Sequence, residues 1–134
     1  MLIQSTIRSN AQNPQSLFTL NKREIKTKLT ELYDMRFLGH DVSNGVPYDS
    51  YHQNNGGGMI SCFFNRQGQC FQITSLYSNS QYSSVVSNLN QKLVKIKINK
   101  WRTQSESMVI NLIFLKNVNM FSVAYRSMLV EEPK

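Results

Sequence analysis

The spacing of apolar residues along the chain predicts two helices. Between residues 22 and 37, apolar residues recur at intervals of three and four, which is the period of one helix face. Asn21 can cap the start of this helix, and Glu24 follows three residues later, where a capping box needs Glu or Gln. The same helical repeat returns after Ser80, at Tyr82, Val85, Val86, Leu89 and Leu93.

Alternating and continuous apolar runs predict six strands around these helices. They are Leu17–Leu20, Met59–Phe64, Gln69–Tyr77, Leu93–Trp101, Met108–Leu115 and Met120–Val130. The second and third runs form a hairpin around a turn at residues 66–68, which places Phe64 opposite Cys70. In the fourth run, Val94, Ile96 and Ile98 point to one face, and Lys95, Lys97, Asn99 and Trp101 point to the other.

The remaining segments predict one long loop inside a single domain. With 134 residues, of which 40% are hydrophobic, the chain 1–134 suits one folded domain and excludes a wholly disordered chain. Residues 39–58 are rich in Gly and Asn, and this composition predicts a long loop that is mobile without a partner. We expect residues 1–16 to form an arm or a short strand, and residues 131–134 to form a tail.

The predicted elements follow the order strand, helix, strand, strand, helix and strand, and then two further strands. The first six elements match a split βαβ arrangement, in which a sheet carries two helices on one face. We therefore predict an α+β, ferredoxin-like βαββαβ sandwich with two extra C-terminal strands. An OB-like small β-barrel is the alternative, because that fold also has a helix between its third and fourth strands.

The basic residues are concentrated in one part of the chain. The formal net charge is +7, from 15 Lys and Arg against 8 Asp and Glu. Residues 50–105 contain no acidic residue, and their basic residues are Arg66, Lys92, Lys95, Lys97, Lys100 and Arg102. A local excess of this kind attracts a phosphate backbone, so it predicts a nucleic-acid partner. The alternatives are an acidic protein partner, an anionic membrane surface, or a solvated strand face whose lysines protect an edge.

Two segments resemble the RNA recognition motif family, and the resemblance covers about residues 17–98. The segment Leu17–Asn21 is similar to the apolar-aromatic-apolar-Gly-Asn pattern of that family's first strand, with Leu in place of Gly. The third-strand pattern of the family is matched at Gly68, Cys70 and Phe71. The resemblance implies a single-stranded RNA-binding domain of the split βαβ type.

Three aromatic residues are candidates for stacking on bases. The family resemblance implies that Phe18 and Phe71 lie side by side on the open sheet face, where they would stack on bases. Trp101 is predicted to share a strand face with Lys95 and Lys97, and a basic and aromatic strip of this kind suits single-stranded nucleic acid. Alternatively, both Phe residues are ordinary core residues, and Trp101 packs against the last two strands. We expect a small basic nucleic-acid-binding protein that contacts RNA or DNA without acting as an enzyme.

The predicted strand Met108–Leu115 is apolar on both faces, which indicates a second role. One face holds Val109, Ile113 and Leu115, and both predicted helices are already used on the other side of the sheet. This pattern predicts a homo-oligomer or a protein partner. The alternative function is therefore that of an accessory subunit, which would bind through its C-terminal strands within a larger complex.

The sequence contains no complete catalytic or metal-binding motif. The His and Asp residues between positions 40 and 52 match no metal-ligand spacing and are predicted to lie in a polar loop. Cys62 stands between apolar neighbours in a strand, which is typical of a buried thiol and not of a nucleophile paired with His52. We therefore expect no enzyme activity, no cofactor and no metal.

The two cysteines and the first residues of the sequence indicate the cellular compartment in which we expect the protein. Cys62 and Cys70 are placed diagonally across the predicted hairpin, which is poor disulfide geometry, so two free thiols in a reducing, intracellular setting are expected. We expect no secretory signal at Met1–Asn10 and no integral membrane association, because Met108–Leu115 is far shorter than the roughly 20 residues of a span. Cytoplasm or nucleus is favoured, and an organelle stays open because no acidic residue precedes Glu24.

Overall fold

The computed structural model of this chain describes residues 14–54 and 58–132. Within them, a helix followed by four strands occurs twice in succession. Helix α1 spans Lys22–Thr27 and continues as a π-helical turn over Lys28–Leu32, and helix α2 spans Tyr82–Lys92. The strands are β1 (Met35–Ser43), β2 (Val46–Gln53), β3 (Met59–Phe64), β4 (Cys70–Ser78), β5 (Val94–Lys97), β6 (Lys100–Arg102), β7 (Met108–Phe114) and β8 (Met120–Ser127). Short 3-10 turns lie at Pro14–Ser16 and Asn79–Gln81.

The eight strands form one antiparallel sheet in the order β1-β2-β3-β4-β8-β7-β6-β5. Each half of the chain is a meander of four strands, and the two meanders join where β4 pairs with β8. The pair Ser75 and Val123 lies in the middle of this junction. Strands β1 and β5 are the two edges of the sheet, so the sheet stays open and presents two broad faces.

One face of the sheet holds the hydrophobic core. In β3 and β8 every second residue is buried, as expected for strands with one covered face. Ile25 and Leu29 from the first helical segment and Leu89 of α2 belong to the same cluster as these strand residues. The helices therefore lie on one side of the sheet, and the opposite side is free of them. We call the latter the open face.

The predicted α+β class is confirmed, whereas the element order differs from a simple βαββαβ pattern. Eight antiparallel strands are present, and four of them stand between the two helices. The OB-like alternative also differs, because β1 and β5 are free edges of an open sheet. Residues 1–13 of the predicted arm and residues 133–134 of the predicted tail lie outside the described residues.

The segment Leu17–Leu20, predicted as the first strand, forms a turn. Two backbone hydrogen bonds attach it to the start of β4: the N–H of Thr19 donates to the carbonyl of Cys70, and the N–H of Cys70 donates to the carbonyl of Leu20. Thr19 has a φ of 77°, which an extended strand does not allow. The strand prediction is therefore wrong, although Leu17 is buried in the core as its apolar character indicates.

The predicted start of the first helix is confirmed, and its end lies earlier than predicted. The side chain of Asn21 accepts from the N–H of Glu24, and the Glu24 carboxylate accepts from the N–H of Asn21, which completes the capping box. The helical segment ends at Leu32, and Asp34 has a φ of 52°. Asp34 is fixed there by two hydrogen bonds from Asn54, so the chain turns directly into β1.

The predicted loop 39–58 contains a long β-hairpin. Most of β1 and all of β2 lie in this segment, and Asn44-Gly45 forms the tight turn between them. Asn44 and Gly45 have φ values of 52° and 80°, the left-handed values that a two-residue type I′ turn requires. The loop prediction is therefore wrong for these residues, and residues 55–57 lie outside the described part of the chain.

The predicted strand Leu93–Trp101 is broken in two. β5 ends at Lys97, and Ile98-Asn99 forms a tight turn into β6, with Asn99 at a φ of 61°. Asn tolerates this left-handed conformation better than most residues do, which explains the turn at this point. The remaining predictions of α2, the β3–β4 hairpin, β7 and the start of β8 are confirmed, including Phe64 opposite Cys70.

Candidate nucleic-acid interface

The strand register places the side chains of the open face in rows across the sheet. One row consists of Tyr48, Phe63, Gln72, Arg126, Val109, Arg102 and Val94. The neighbouring row consists of Ser50, Ser61, Thr74, Ala124, Asn111, Lys100 and Lys97. Small and polar side chains dominate the centre, so the face is a shallow platform instead of a second core.

Basic residues gather at one end of this platform. The open-face positions of β5 to β8 hold four basic residues and no acidic one; the four are Lys97, Lys100, Arg102 and Arg126. We call these four residues the basic end. Lys97 and Lys100 stand directly opposite each other, and like charges in this position repel. A bound anion would relieve that repulsion, so the arrangement suits a polyanionic ligand.

A shallow depression of about 420 Å³ lies within the basic end. Lys97, Lys100 and Arg126 supply its positive charge. Its polar wall includes the amides of Gln72 and Asn111, which can both donate and accept hydrogen bonds. Charged, amide and apolar groups therefore meet around one depression, where they can contact the charged, hydrogen-bonding and apolar parts of one ligand.

The two arginines of the basic end differ in their present partners. Nη1 of Arg102 donates to the carbonyls of Thr103 and Gln104, at 3.0 and 3.4 Å, so this guanidinium supports the β6–β7 loop. Arg126 forms an ion pair with Glu132 in the C-terminal segment. The side chains of that pair are 40% and 48% exposed, and an exposed pair contributes little free energy. A phosphate group can therefore replace the Glu132 carboxylate at Arg126 at small cost.

An aromatic pair lies on the open face in the same row as Arg102 and Arg126. The rings of Tyr48 and Phe63 stack with their centroids 4.9 Å apart and their planes 28° from parallel. Both residues are half-buried, so part of each ring faces solvent. Only Gln72 stands between Phe63 and Arg126 in the row, so aromatic and cationic groups are near neighbours.

The predicted basic strip divides between different surfaces of the protein. A register shift after Lys95 places this residue opposite Trp101, on the helix-covered side, while Lys97 lies on the open face. Lys92 lies in the last turn of α2, and Arg66 lies in the exposed turn between β3 and β4. Only Lys97, Lys100 and Arg102 of the six predicted basic residues therefore share the open face.

The three predicted stacking aromatics are buried. Phe18 is 7% exposed, Phe71 is 6% exposed and Trp101 is fully buried, and all three belong to the core cluster. Phe71 is the extra residue at a register shift, where Phe63 pairs with Gln72 and Phe64 pairs with Cys70. The predicted placement of Phe18 and Phe71 on the open face is wrong, because the shift turns Phe71 towards the core.

The residues that sequence reasoning missed are Tyr48, Phe63 and Arg126. Phe63 lies between Cys62 and Phe64, and its position in the alternation already marks it as facing away from the core. The same alternation marks Arg126 in β8. No comparable signal was present for Tyr48, because its strand was predicted as a loop.

The predicted protein interface is only partly an apolar surface. Ile113 is 58% exposed and Leu115 is 36% exposed, and Ile98 nearby is 74% exposed. Val109, in contrast, is half-buried between Arg102 and Arg126 in the polar row. Because Ile98 and Ile113 also line the depression of the basic end, the apolar and basic groups form one continuous surface.

The two thiols lie on the helix-covered side, away from the open face. Cys62 and Cys70 are both free and fully buried. The hydrogen bond with Cys70 and burial raise the pKa of the Cys62 thiol well above its usual range. His52 faces the other side of the sheet, since it pairs with Met59 while Cys62 pairs with Asp49. The two side chains therefore cannot act as a nucleophile and base.

Comparisons of this chain with protein-family models, with curated proteins and with solved structures found no match. Among residues 14–54 and 58–132, neither helix has the length and apolar character needed to cross a membrane.

Proposed function

We propose that this protein binds single-stranded nucleic acid across the open face of its sheet. The observation that carries the proposal is the basic end, with four basic side chains and no acidic one on the open-face positions of four adjacent strands. Cations in this number attract a phosphate backbone without reading its sequence. The role is one of binding and not of catalysis.

The aromatic pair favours a single strand over a duplex. Tyr48 and Phe63 present partly exposed rings, and a base can stack on such rings only when it is unpaired. A duplex would bring phosphates to the basic end and leave the aromatic pair without a role. The open face therefore offers contacts to the phosphate backbone at the basic end and contacts to the bases at the aromatic pair. Both kinds of contact suit RNA and DNA alike.

The test is binding of labelled single-stranded and double-stranded oligonucleotides, of RNA and of DNA, at two salt concentrations. We expect single strands to bind more tightly than duplexes of the same length. The logarithm of the association constant should fall linearly with the logarithm of salt concentration, with a slope of about −2 to −3 if three or four phosphates are contacted. Fluorescence anisotropy gives both quantities. An affinity without salt dependence, or a preference for duplexes, would contradict the proposal.

An accessory role in a protein complex is the second candidate, because Ile98, Ile113 and Leu115 expose apolar surface together. If these residues form an interface between copies of the chain, the wild type should self-associate at high concentration. Replacing Ile113 and Leu115 with Ser should then give a folded monomer, since Ile113 is 58% exposed and Leu115 is 36% exposed.

Sedimentation measurements on the wild type and the double variant distinguish the two candidates. A wild type that stays monomeric at every concentration removes the evidence for self-association through this surface. Salt gives a second criterion, since phosphate binding weakens steeply as salt rises, whereas contacts between apolar side chains do not.

A further inference from the structure

A second cavity, open to solvent, lies on the helix-covered side of the sheet, between the first helical segment and strands β1 and β2. Its volume is about 560 Å³, which lies within the range of small-ligand sites. Lys22, Arg23 and Lys26 from α1 line it, and Phe37, His40 and Asp49 from the strands close it on the other side. This cavity is separate from the basic end, because its strand residues point away from the open face.

Aromatic rings, instead of carboxylates, contact two of these cations. The Lys26 ammonium lies 4.3 Å from the centre of the Phe37 ring. The Lys22 ammonium lies 5.6 Å from the centre of the Phe64 ring and 3.3 Å from Nδ1 of His40. Within the described residues, neither lysine forms an ion pair with Asp or Glu. Their positive charges are thus positioned but not neutralised.

The nearby acidic groups leave the lining with a net positive charge, since Lys22, Arg23 and Lys26 stand against Asp49 and Glu31. Asp49 is only 5% exposed, and its carboxylate contacts Nδ1 of His40 at 2.8 Å. This contact fixes the imidazole and occupies the one buried carboxylate of the cavity. Glu31 is the other acidic residue in the lining, against three permanent cations. An anion that enters the cavity would therefore meet a net positive field with preset donors.

We propose that this cavity binds the phosphate group of a phosphate monoester. Lys22, Arg23 and Lys26 supply the charge and the donors that a doubly charged phosphate requires, and Arg23 can bind two of its oxygens at once. The volume exceeds the needs of a free phosphate ion and leaves space for the organic part of the ligand. The site does not depend on the proposed function, because it uses neither the open face nor the basic end.

The experiment is a titration followed by two-dimensional NMR of backbone amides, with inorganic phosphate and a nucleoside 5′-monophosphate as probes. Chloride keeps the ionic strength constant. We expect saturable shifts for amides of α1 and for the residues around His40 and Asp49, with tighter binding of the monophosphate. The nucleoside without its phosphate should cause no shifts there. The double substitution K22Q/K26Q should weaken binding of the monophosphate by at least about tenfold.

Two further variants keep the interpretation clear. R23Q alone should also weaken binding, and it tests the cavity even if the double substitution alters the fold. K97Q/K100Q removes the same number of charges from the open face and should leave the shifts of the α1, His40 and Asp49 amides unchanged, even if the monophosphate also binds the basic end. The proposal is overturned if phosphate and chloride cause the same shifts of these amides, if the free nucleoside shifts them equally well, or if K97Q/K100Q weakens these shifts as much as K22Q/K26Q. If K97Q/K100Q loses oligonucleotide binding while the monophosphate still binds the cavity, the result supports the open-face site and leaves the cavity proposal standing.

Discussion

Reversing the charge of Lys97 and Lys100 should reduce the affinity for single-stranded oligonucleotides by about 100-fold at low salt. Each lysine is expected to make one charge-assisted phosphate contact, and loss of such a contact costs about tenfold. The slope of log affinity against log salt should become shallower by about 1.4, since each phosphate contact on a single strand contributes about 0.7. Fluorescence anisotropy at several salt concentrations measures both changes.

The matched control reverses the charge of two lysines that lie outside the open face. Lys95 faces the helix-covered side, and Lys116 lies in the exposed turn between β7 and β8. The variant K95E/K116E has the same net charge as K97E/K100E, so any difference between them reports position instead of total charge. We expect K95E/K116E to bind within a few-fold of the wild type. Equal losses in the two variants would show that only net charge matters, and wild-type binding by K97E/K100E would refute the open-face site.

The elements that sequence patterns predicted correctly are those whose pattern is local and apolar. The capping box of Asn21 and Glu24 is a contact between neighbours in the chain, and it forms as predicted. Helix α2 and the β3–β4 hairpin carry regular apolar repeats, and both are present with nearly the predicted bounds. In each case the sequence pattern that predicts the element does not depend on contacts with the rest of the chain.

Strand β2 was missed because its buried positions are not all apolar. Asp49, Tyr51 and Gln53 point to the covered side, so two of the three inward positions carry polar side chains. Asp49 is stabilised there by contact with His40, and Gln53 is fixed by a backbone hydrogen bond from its N–H to Gly58. These partners lie outside β2, in β1 and in the β2–β3 connection, so no periodicity of hydrophobic residues within β2 could reveal the strand.

The candidate site could also be predicted only in part from the sequence, because residues that are close in sequence need not share a surface. Lys95 and Lys97 were expected on one face, yet the register shift between them places them on opposite sides of the sheet. Arg126 joins Lys100 and Arg102 only because β7 and β8 continue the sheet beyond β6. A charge count by segment identified the region, while the sheet register determined which charges act together.

Replacing Trp101 with Ala should lower the free energy of unfolding by about 3–5 kcal/mol, the usual cost of removing a large buried aromatic side chain. The Trp101 side chain is fully buried, and its Nε1 donates to Oδ1 of Asn90 at 2.8 Å, which ties β6 to α2. Small domains have total stabilities of about 5–15 kcal/mol, so much of the population could unfold at 37 °C. Urea denaturation followed by circular dichroism measures the change.

Two controls test whether Trp101 acts in the core or in binding. One is an apolar variant at an exposed position, and the other is the fluorescence of the Trp101 indole. Ile98 is 74% exposed in the turn next to β6, so Ile98→Ala should change the unfolding free energy by less than about 0.5 kcal/mol. Trp101 is the only tryptophan, so the wild-type emission reports on this position alone. Because the ring is inaccessible, acrylamide should quench it weakly, and oligonucleotides should not quench it by stacking. Normal stability of Trp101→Ala together with lost oligonucleotide binding would instead make Trp101 a base-stacking residue, and the core placement of its ring would be wrong.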